Sequence, residues 1–252
     1  MAIYDSFAWV YARGPYPGYS RRMAGIMPAV LRTLGAHPKA LLDVACGEGT
    51  FAVAMAKAGM EVVGLDLSDR MLEIARSTAE EQGVNARFIQ ADMRAIGLEP
   101  KYDLATCWYD SLNYLLSPDD LTAAFRGIAA SLEPDAHFIF DMNTIYGLAV
   151  LWRSQPFCVI QDTSEIFDVH TNSFDFEGSL ATKRIVVFFK RGVAWDRIDE
   201  EHIERGYSLG EIRACLAAAG LREIACWGSL QDMTEPGPET GRVWFVAKKQ
   251  TM

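Results

Sequence analysis

The sequence predicts an α/β protein built on a doubly wound, largely parallel sheet with helices on both faces, into which an antiparallel β-sheet is inserted late. Three observations carry this reading. Through its first half the chain alternates short apolar runs with amphipathic helical stretches, the pattern of strands joined by crossover helices. A two-glycine turn directly follows the first apolar run, where a strand hands over to a helix. From residue 153 to 206 the helical period disappears, and β-branched and aromatic residues take over.

Residues 40–45 (ALLDVA) read as a buried strand and 50–58 as the helix after it. Residues 61–66 (EVVGLD) form a second strand. Ser68 is then a good N-cap for a helix with Met71, Leu72 and Ala75 on one side. Residues 86–92 and 102–108 are the third and fourth strands. Ser117 caps the next helix, Pro118 takes its first position and Asp120 closes a capping box. Leu121, Phe125, Ile128 and Leu132 make one apolar stripe along it. Residues 137–142 (HFIFDM) are the fifth strand.

Four runs, 157–160, 165–170, 180–190 and 193–204, form the inserted sheet, with a tight turn at Arg191-Gly192. Ser208 and Glu211 open a last helix that stops at Gly220, and residues 221–227 and 242–247 complete seven strands in the main sheet. The domain division is therefore 1–152 with 207–252 as the main unit and 153–206 as the insert.

Composition narrows the function. Apolar residues are 50% of the 252 and charged residues 23%, ordinary globular usage with enough chain for one large core. No apolar run approaches the roughly 18 residues of a membrane span. The first residues lack the basic-then-apolar pattern of a secretory leader, so a cytoplasmic location is expected. Five scattered cysteines without a C-x-x-C pair argue against a disulfide framework or structural zinc, and the four histidines form no H-x-x-x-H pair. No metal is expected. The net charge of −9 disfavours a nucleic-acid partner.

The chemistry concentrates in Asp43-Val-Ala-Cys-Gly-Glu-Gly-Thr50. Gly47 and Gly49 permit a sharp turn and let backbone N–H groups approach a ligand. Asp66 ends the second strand, where a carboxylate can bind a ribose diol, and Asp92 ends the third. A dinucleotide fingerprint would want a third glycine where Ala52 stands. Glu48, placed on the solvent side of the turn, would be awkward beside a pyrophosphate. A cofactor with adenosine but no phosphates fits better.

The run LLDVACGEGT, followed by VVGLDLSDRML and IQADM, resembles the motif series of class I S-adenosylmethionine-dependent methyltransferases. Through TCWYDSLNYLL, DMNTIYGL and DEEHIERGYS the likeness extends to a subgroup with an antiparallel insert after the fifth strand, similar in fold to amino-sugar and glycine N-methyltransferases. The resemblance implies a Rossmann-like seven-stranded methyltransferase sheet and S-adenosylmethionine as cofactor. It implies that Asp43 and the turn Ala45, Cys46, Gly47 and Gly49 surround the methionine portion. Asp66 would accept the ribose hydroxyls, Leu67 and Met71 pack on the adenine, and Asp92 with Met93 meet its amino group. Trp108 and Tyr109 would lie near the sulfonium, and the aromatic N-terminal segment, with Tyr11 and Tyr19, would fold over the cofactor as a lid.

Beside the fourth strand, Asp110 and Asn113 are candidates to position or deprotonate a small-molecule acceptor; the competing reading makes them turn residues. His202, flanked by Glu201 and Glu204, reads first as a half-exposed edge histidine and second as an acceptor-site base. With no base evident beside the fourth strand, N-methylation is slightly favoured over O-methylation. The insert is expected to cover the acceptor side of the cleft. Phe157, Phe167, Phe174, Phe176 and Trp195 would be its apolar wall, and Asp162, Glu165, Asp168, Asp175, Glu177 and Glu201 its acids. The alternative is a homodimerisation sheet. Three other functions stay open at this point: a non-catalytic S-adenosylmethionine-binding protein, a nicotinamide-dependent oxidoreductase, and a protein or RNA methyltransferase.

Overall fold

The structure is a computed structural model that describes residues 3–99 and 101–250; Met1, Ala2, Pro100, Thr251 and Met252 lie outside it. Seven strands form one sheet in the order β10-β11-β5-β4-β1-β2-β3, with β1 Ala40–Val44, β2 Glu61–Asp66, β3 Ala86–Gln90, β4 Tyr102–Cys107, β5 Leu132–Asn143, β10 Leu221–Trp227 and β11 Arg242–Lys249. β1 pairs in parallel with β2 and β4, β2 with β3, and β4 with β5, whereas β11 runs antiparallel to both β5 and β10. The parallel strands place the carboxyl ends of β1, β2, β4 and β5 along one edge, where open α/β sheets bind ligands.

Alternation along the strands sends side chains to two apolar faces. Leu42, Val44, Ala105, Phe138 and Phe140 pack under α5 (Pro118–Ser131) and α6 (Leu209–Ala218). Leu41, Val62, Leu104 and Ile139 pack under α2 (Pro17–Leu34), α3 (Thr50–Lys57) and α4 (Asp69–Glu81). The predicted stripe of α5 is fully buried. The Ser208/Glu211 capping box is present in both directions, and Ser68 accepts from the Met71 amide. At Ser117 the box is incomplete. Its hydroxyl accepts from the Asp120 amide, but the Asp120 carboxylate takes the Ser117 hydroxyl rather than the backbone N–H. β5 begins at Leu132, not His137. Its first pairing, Leu132 with Tyr102, precedes an irregularity at Pro134 and Asp135 (φ 62°), and regular pairing resumes at His137.

Further elements stand outside the strands and helices assigned from sequence. The aromatic N-terminal segment contains α1 (Ala8–Arg13) and the 18-residue α2, which Gly35 closes at φ 62°. A π-helical turn, Gly147–Trp152, follows β5.

The insert is a four-stranded antiparallel sheet in the order β6-β7-β8-β9: Phe157–Asp162, Ile166–Asp175, Leu180–Arg191 and Ala194–Arg205. Arg191 pairs with Ala194, so the tight turn is Gly192-Val193, with Gly192 at φ 64° in the first turn position. Strand parity corrects the expected inner wall. Phe157, Phe176 and Trp195 are exposed, and Phe167 and Glu201 fall on the outer face. The inner face presents Asp168 and His170 from β7, Lys183, Ile185 and Val187 from β8, and Glu200, His202 and Glu204 from β9. Of the acids named from sequence, Asp168 turns inward; Asp175 instead accepts the amides of Glu177 and Gly178 at a turn. Ile166, Ile185 and Val187 bury Phe7 and Val10, so the insert clamps the N-terminal segment against the site.

Phe140 is fully buried and its ring lies 4.6 Å from Phe138 and 5.2 Å from Phe245. Phe140→Ala is expected to cost about 3–5 kcal/mol of unfolding free energy, read as a drop in urea midpoint at unchanged slope. Val193→Ala, at a fully exposed turn position, should leave the midpoint in place.

Candidate active site

The β1–α3 turn is held in unusual backbone geometry. Ala45, Gly47 and Gly49 all have positive φ, at 54°, 56° and 84°. A Cβ at Gly49 would sit 2.7 Å from the Ala75 Cβ, so α4 can approach only a glycine there; a Cβ at Gly47 would meet nothing within 4 Å and would project into open space. The Asp66 carboxylate ties the turn to β2, accepting from Gly47 N at 2.8 Å and Ser68 N at 2.9 Å.

Three cavities meet along this edge. The first, about 540 Å³, is bounded by Asp43, Ala45, Cys46, Gly47, Glu48, Asp66, Met71, Trp108 and Tyr109, with Tyr4, Tyr11, Ser20, Phe51 and Ser111 closing it. The second, about 1080 Å³ with its open mouth, runs past Asp66, Leu67, Asp92 and Met93 to Leu115 and Leu116. The third, about 560 Å³, lies between the N-terminal segment, the end of β4 and the inner face of the insert. Tyr4 borders all three.

Most residues singled out from sequence converge here, with corrections. Met71 borders the first cavity and Leu67 the second, so the two do not face one pocket. Asp92 reaches the second cavity with both carboxylate oxygens engaged by the Arg94 side chain, whose charge-assisted hydrogen bonds hold its pKa below the ordinary value. Tyr19 sits behind the cleft, stacked on Tyr109 at 4.6 Å. Tyr11 does border the first and third cavities. Glu48 is not on the solvent side: it is 4% exposed, and its carboxylate accepts from Thr50 N at 2.8 Å. The two left-handed glycines fold its side chain back over the start of α3, where a free helix amide compensates the charge.

Charge in the first cavity is unusual. Burial raises the pKa of Asp43 from 3.8 to about 7, against the hydrogen bond donated by Thr106; its second oxygen is buried without a partner. Burial also raises Glu48 and Asp66. The Trp108 indole N–H is a further buried donor without a protein acceptor. A cleft with three carboxylates, an orphaned carboxylate oxygen, an open Gly47 edge and aromatic faces suits a ligand carrying positive charge and polar groups.

Beyond β4, Tyr109 and Asp110 adopt φ of 61° and 57°, a strained pair for non-glycine residues. Asp141, fully buried at the end of β5, holds it by accepting Tyr109 N at 2.7 Å and Asp110 N at 3.2 Å. Arg242, the first residue of β11, pairs with both Asp141 and Asp110. Asn143 Nδ2 donates to both Asp110 and Glu204. Asn113, a catalytic candidate from sequence, is instead a backbone clamp. Its amide bonds Asn143 N, Asn143 O and Arg205 O, and it reaches none of the three cavities. His202 is not a half-exposed edge residue: it is 1% exposed and its two ring nitrogens are hydrogen-bonded to Tyr114 and Glu200.

Arg242, Asp141, Asn143, Tyr4 and Glu204 were missed as site residues. Glu200, His202 and Glu204 follow a strict period of two and were within reach of a strand argument. Arg242 has no local signal, since pairing between β11 and β5 alone brings it in.

Residues 41–135 match the family described as methyltransferase domain. YqeM of Bacillus subtilis, provisionally named a methyltransferase, is 30% identical over 98% of this chain and 97% of its own. The crystal structure of an S-adenosylmethionine-dependent methyltransferase from Clostridium acetobutylicum superposes with a TM-score of 0.85 at 25% identity, covering 99% of this chain and 100% of that one. An S-adenosylmethionine-bound amino pentose methyltransferase from Micromonospora echinaspora shares the fold at a TM-score of 0.70 and 21% identity, over 92% of each chain. With the glycine turn, the acidic strand ends and the seven-stranded order already described, these likenesses make the chain a member of the class I S-adenosylmethionine-dependent methyltransferases.

Proposed function

We propose that the protein transfers the methyl group of S-adenosylmethionine to the nitrogen of a small-molecule amine held in the third cavity. The observation that carries this is the cavity itself. It shares Tyr4, Tyr11 and Tyr109 with the first, is walled by tyrosines and Trp152, and holds the buried acids Asp110 and Glu204. Lys183 and Arg242 line it too, Arg242 paired with Asp110, so the tyrosine and tryptophan faces rather than net charge favour a cationic or polar amine. The amino pentose methyltransferase that shares the fold supports the same acceptor class. Its free cysteines suit a reducing, cytoplasmic setting.

The cofactor supplies an already activated methyl donor. The chain supplies placement. Asp43, Glu48 and the Gly47 edge would take the methionine end, Asp66 the ribose, and Leu67 with Met93 the adenine. Tyr109 and Asp110, locked by Asp141, would hold the acceptor in line, and such orientation can supply up to roughly 7–11 kcal/mol of the barrier. Incubation with amino sugars and other small amines, read as S-adenosylhomocysteine formation, tests the reading; methylation of hydroxylated metabolites alone would replace N with O.

Asp66→Ala is expected to weaken cofactor binding by about 2–4 kcal/mol, because a charged acceptor is lost and the amides of Gly47 and Ser68 lose their partner. Titration calorimetry measures it. NAD should give no heat.

Asp43 makes a pH prediction. Its folded pKa of about 7 lies above the ordinary 3.8, so between those values the folded chain binds the extra proton. Its contribution to stability therefore falls as pH rises from about 4 to 7. A cationic ligand beside it favours the carboxylate, so cofactor binding near pH 6.5 should release up to about one proton. Binding enthalpies in buffers of different ionisation heat report that number. Asp43→Asn should reduce it.

A further inference from the structure

We propose that Tyr4, Tyr114, His202 and Glu200 form a proton relay that strips an ammonium acceptor of its proton, with the Tyr4 hydroxyl meeting the substrate. This deepens the amine reading and rests on it. The chain of contacts is continuous. Tyr4 Oη lies 2.7 Å from Tyr114 Oη, Tyr114 Oη 2.8 Å from His202 Nδ1, and His202 Nε2 3.0 Å from Glu200 Oε2.

With the imidazole neutral, the hydrogens have one consistent arrangement. Glu200 only accepts, so Nε2 carries the imidazole proton and Nδ1 offers a lone pair. The Tyr114 hydroxyl donates to Nδ1, and the Tyr4 hydroxyl donates to the Tyr114 oxygen. Every donor is then engaged within the chain. The lone pairs of the Tyr4 oxygen are left as the acceptor at the head of the chain, on the residue where the three cavities meet.

Charge supports the direction of transfer. Burial opposes ionisation of Glu200, but bonds from His202, Ser6 and the Tyr4 amide outweigh it and hold the carboxylate below its ordinary range. Burial raises both tyrosines well above theirs, so they pass protons rather than lose them. Lys183, opposite His202 in register on β8, opposes an imidazolium, as its ammonium lies 3.6 Å from the Trp152 ring on the same side of the cavity. Glu200, bonded to Nε2, offsets it, while burial holds Glu204 well above its ordinary range and Asp110 is paired with Arg242 on the same wall. Tyr4 itself stands at φ 73°, a conformation Glu200 secures by accepting the amides of Tyr4 and Phe7.

The step balances. An ammonium N–H donates to the Tyr4 oxygen as the Tyr4 proton passes to Tyr114 and the Tyr114 proton to Nδ1. The acceptor becomes a neutral amine with a free lone pair, and His202 becomes an imidazolium beside the Glu200 carboxylate. Tyr4 is the catalytic residue, and Tyr114, His202 and Glu200 act through it.

The test compares the native enzyme with His202→Gln and Tyr114→Phe on two amines. Benzylamine is protonated at neutral pH and needs the relay; aniline arrives neutral and does not. At about pH 7 both variants should lose about 100-fold in kcat with benzylamine. They should recover towards about pH 10, where the amine deprotonates in solution. With aniline the loss should be much smaller and should show no recovery with pH. Equal losses on both amines, or a benzylamine loss that does not recover with pH, would overturn the relay and leave amine methylation standing. A native enzyme that binds S-adenosylmethionine yet methylates neither amine would overturn the amine reading and the relay with it.

Discussion

The site depends on one buried carboxylate more than on any other group. Asp141 has no exposed surface, sits at the end of β5, and receives two amides and a guanidinium. Removing it would leave Arg242 buried with half its compensation and the left-handed Tyr109-Asp110 pair without its anchor. Both effects fall on the boundary between the first and third cavities. Burial raises the pKa of Asp141, but the adjoining Arg242 charge opposes that rise. The antiparallel β11 thus has a chemical use: its first residue delivers the cation that lets a carboxylate exist at the centre of the edge.

A second carboxylate does for the N-terminal segment what Asp141 does for β4. Glu200 accepts from Tyr4 N, Phe7 N and the Ser6 hydroxyl, so a β9 side chain folds the segment back over the cleft. Asp5 meets the Ser68 hydroxyl at the start of α4, next to the Asp66 turn. The segment is therefore strapped at one side to the insert and at the other to the cofactor-binding edge. The apolar contacts of Phe7 and Val10 with Ile185 and Val187 close the same strap. Insert and cofactor cleft are coupled through it, so removing the insert would also unmoor Tyr4 and Tyr11. That is why loss of the insert is a poorer probe of acceptor binding than its position in the sequence suggests.

What the sequence revealed follows the range of each interaction. Strands and helices of the main sheet were legible because apolar period and caps are local: Ser68, Ser117 and Ser208 all cap where expected. The glycine turn and Asp66 were legible because a close backbone approach demands particular residue types. α2 does carry local marks, Pro17 at its start and Gly35 at its end. The insert's strands were legible, but not which face turned inward, because a β-rich run with aromatics on both faces carries no internal signal for the core side. Glu48 was misplaced because residue type says nothing about where a turn with three positive φ values sends a side chain. Asp141, Asn143 and Arg242 were invisible for a different reason: their partners come from the segment after β4, from β5, β9 and β11, and only the fold puts them together.

The electrostatics of the first cavity give the fold its bias towards one cofactor state. Asp43, Glu48 and Asp66 all have pKa values raised by burial, so the apo cleft stores unfavourable desolvation that a cation relieves. S-adenosylmethionine brings a sulfonium and an ammonium, whereas its demethylated product keeps only the ammonium. With the cofactor in the first cavity as proposed, transfer would leave the three carboxylates facing one positive charge fewer and would remove a cation–π partner from Trp108 and Tyr109. On that placement the geometry that orients the donor would hold the product less tightly. That difference acts at the step where many enzymes with closed sites are slowest, product release past the N-terminal strap.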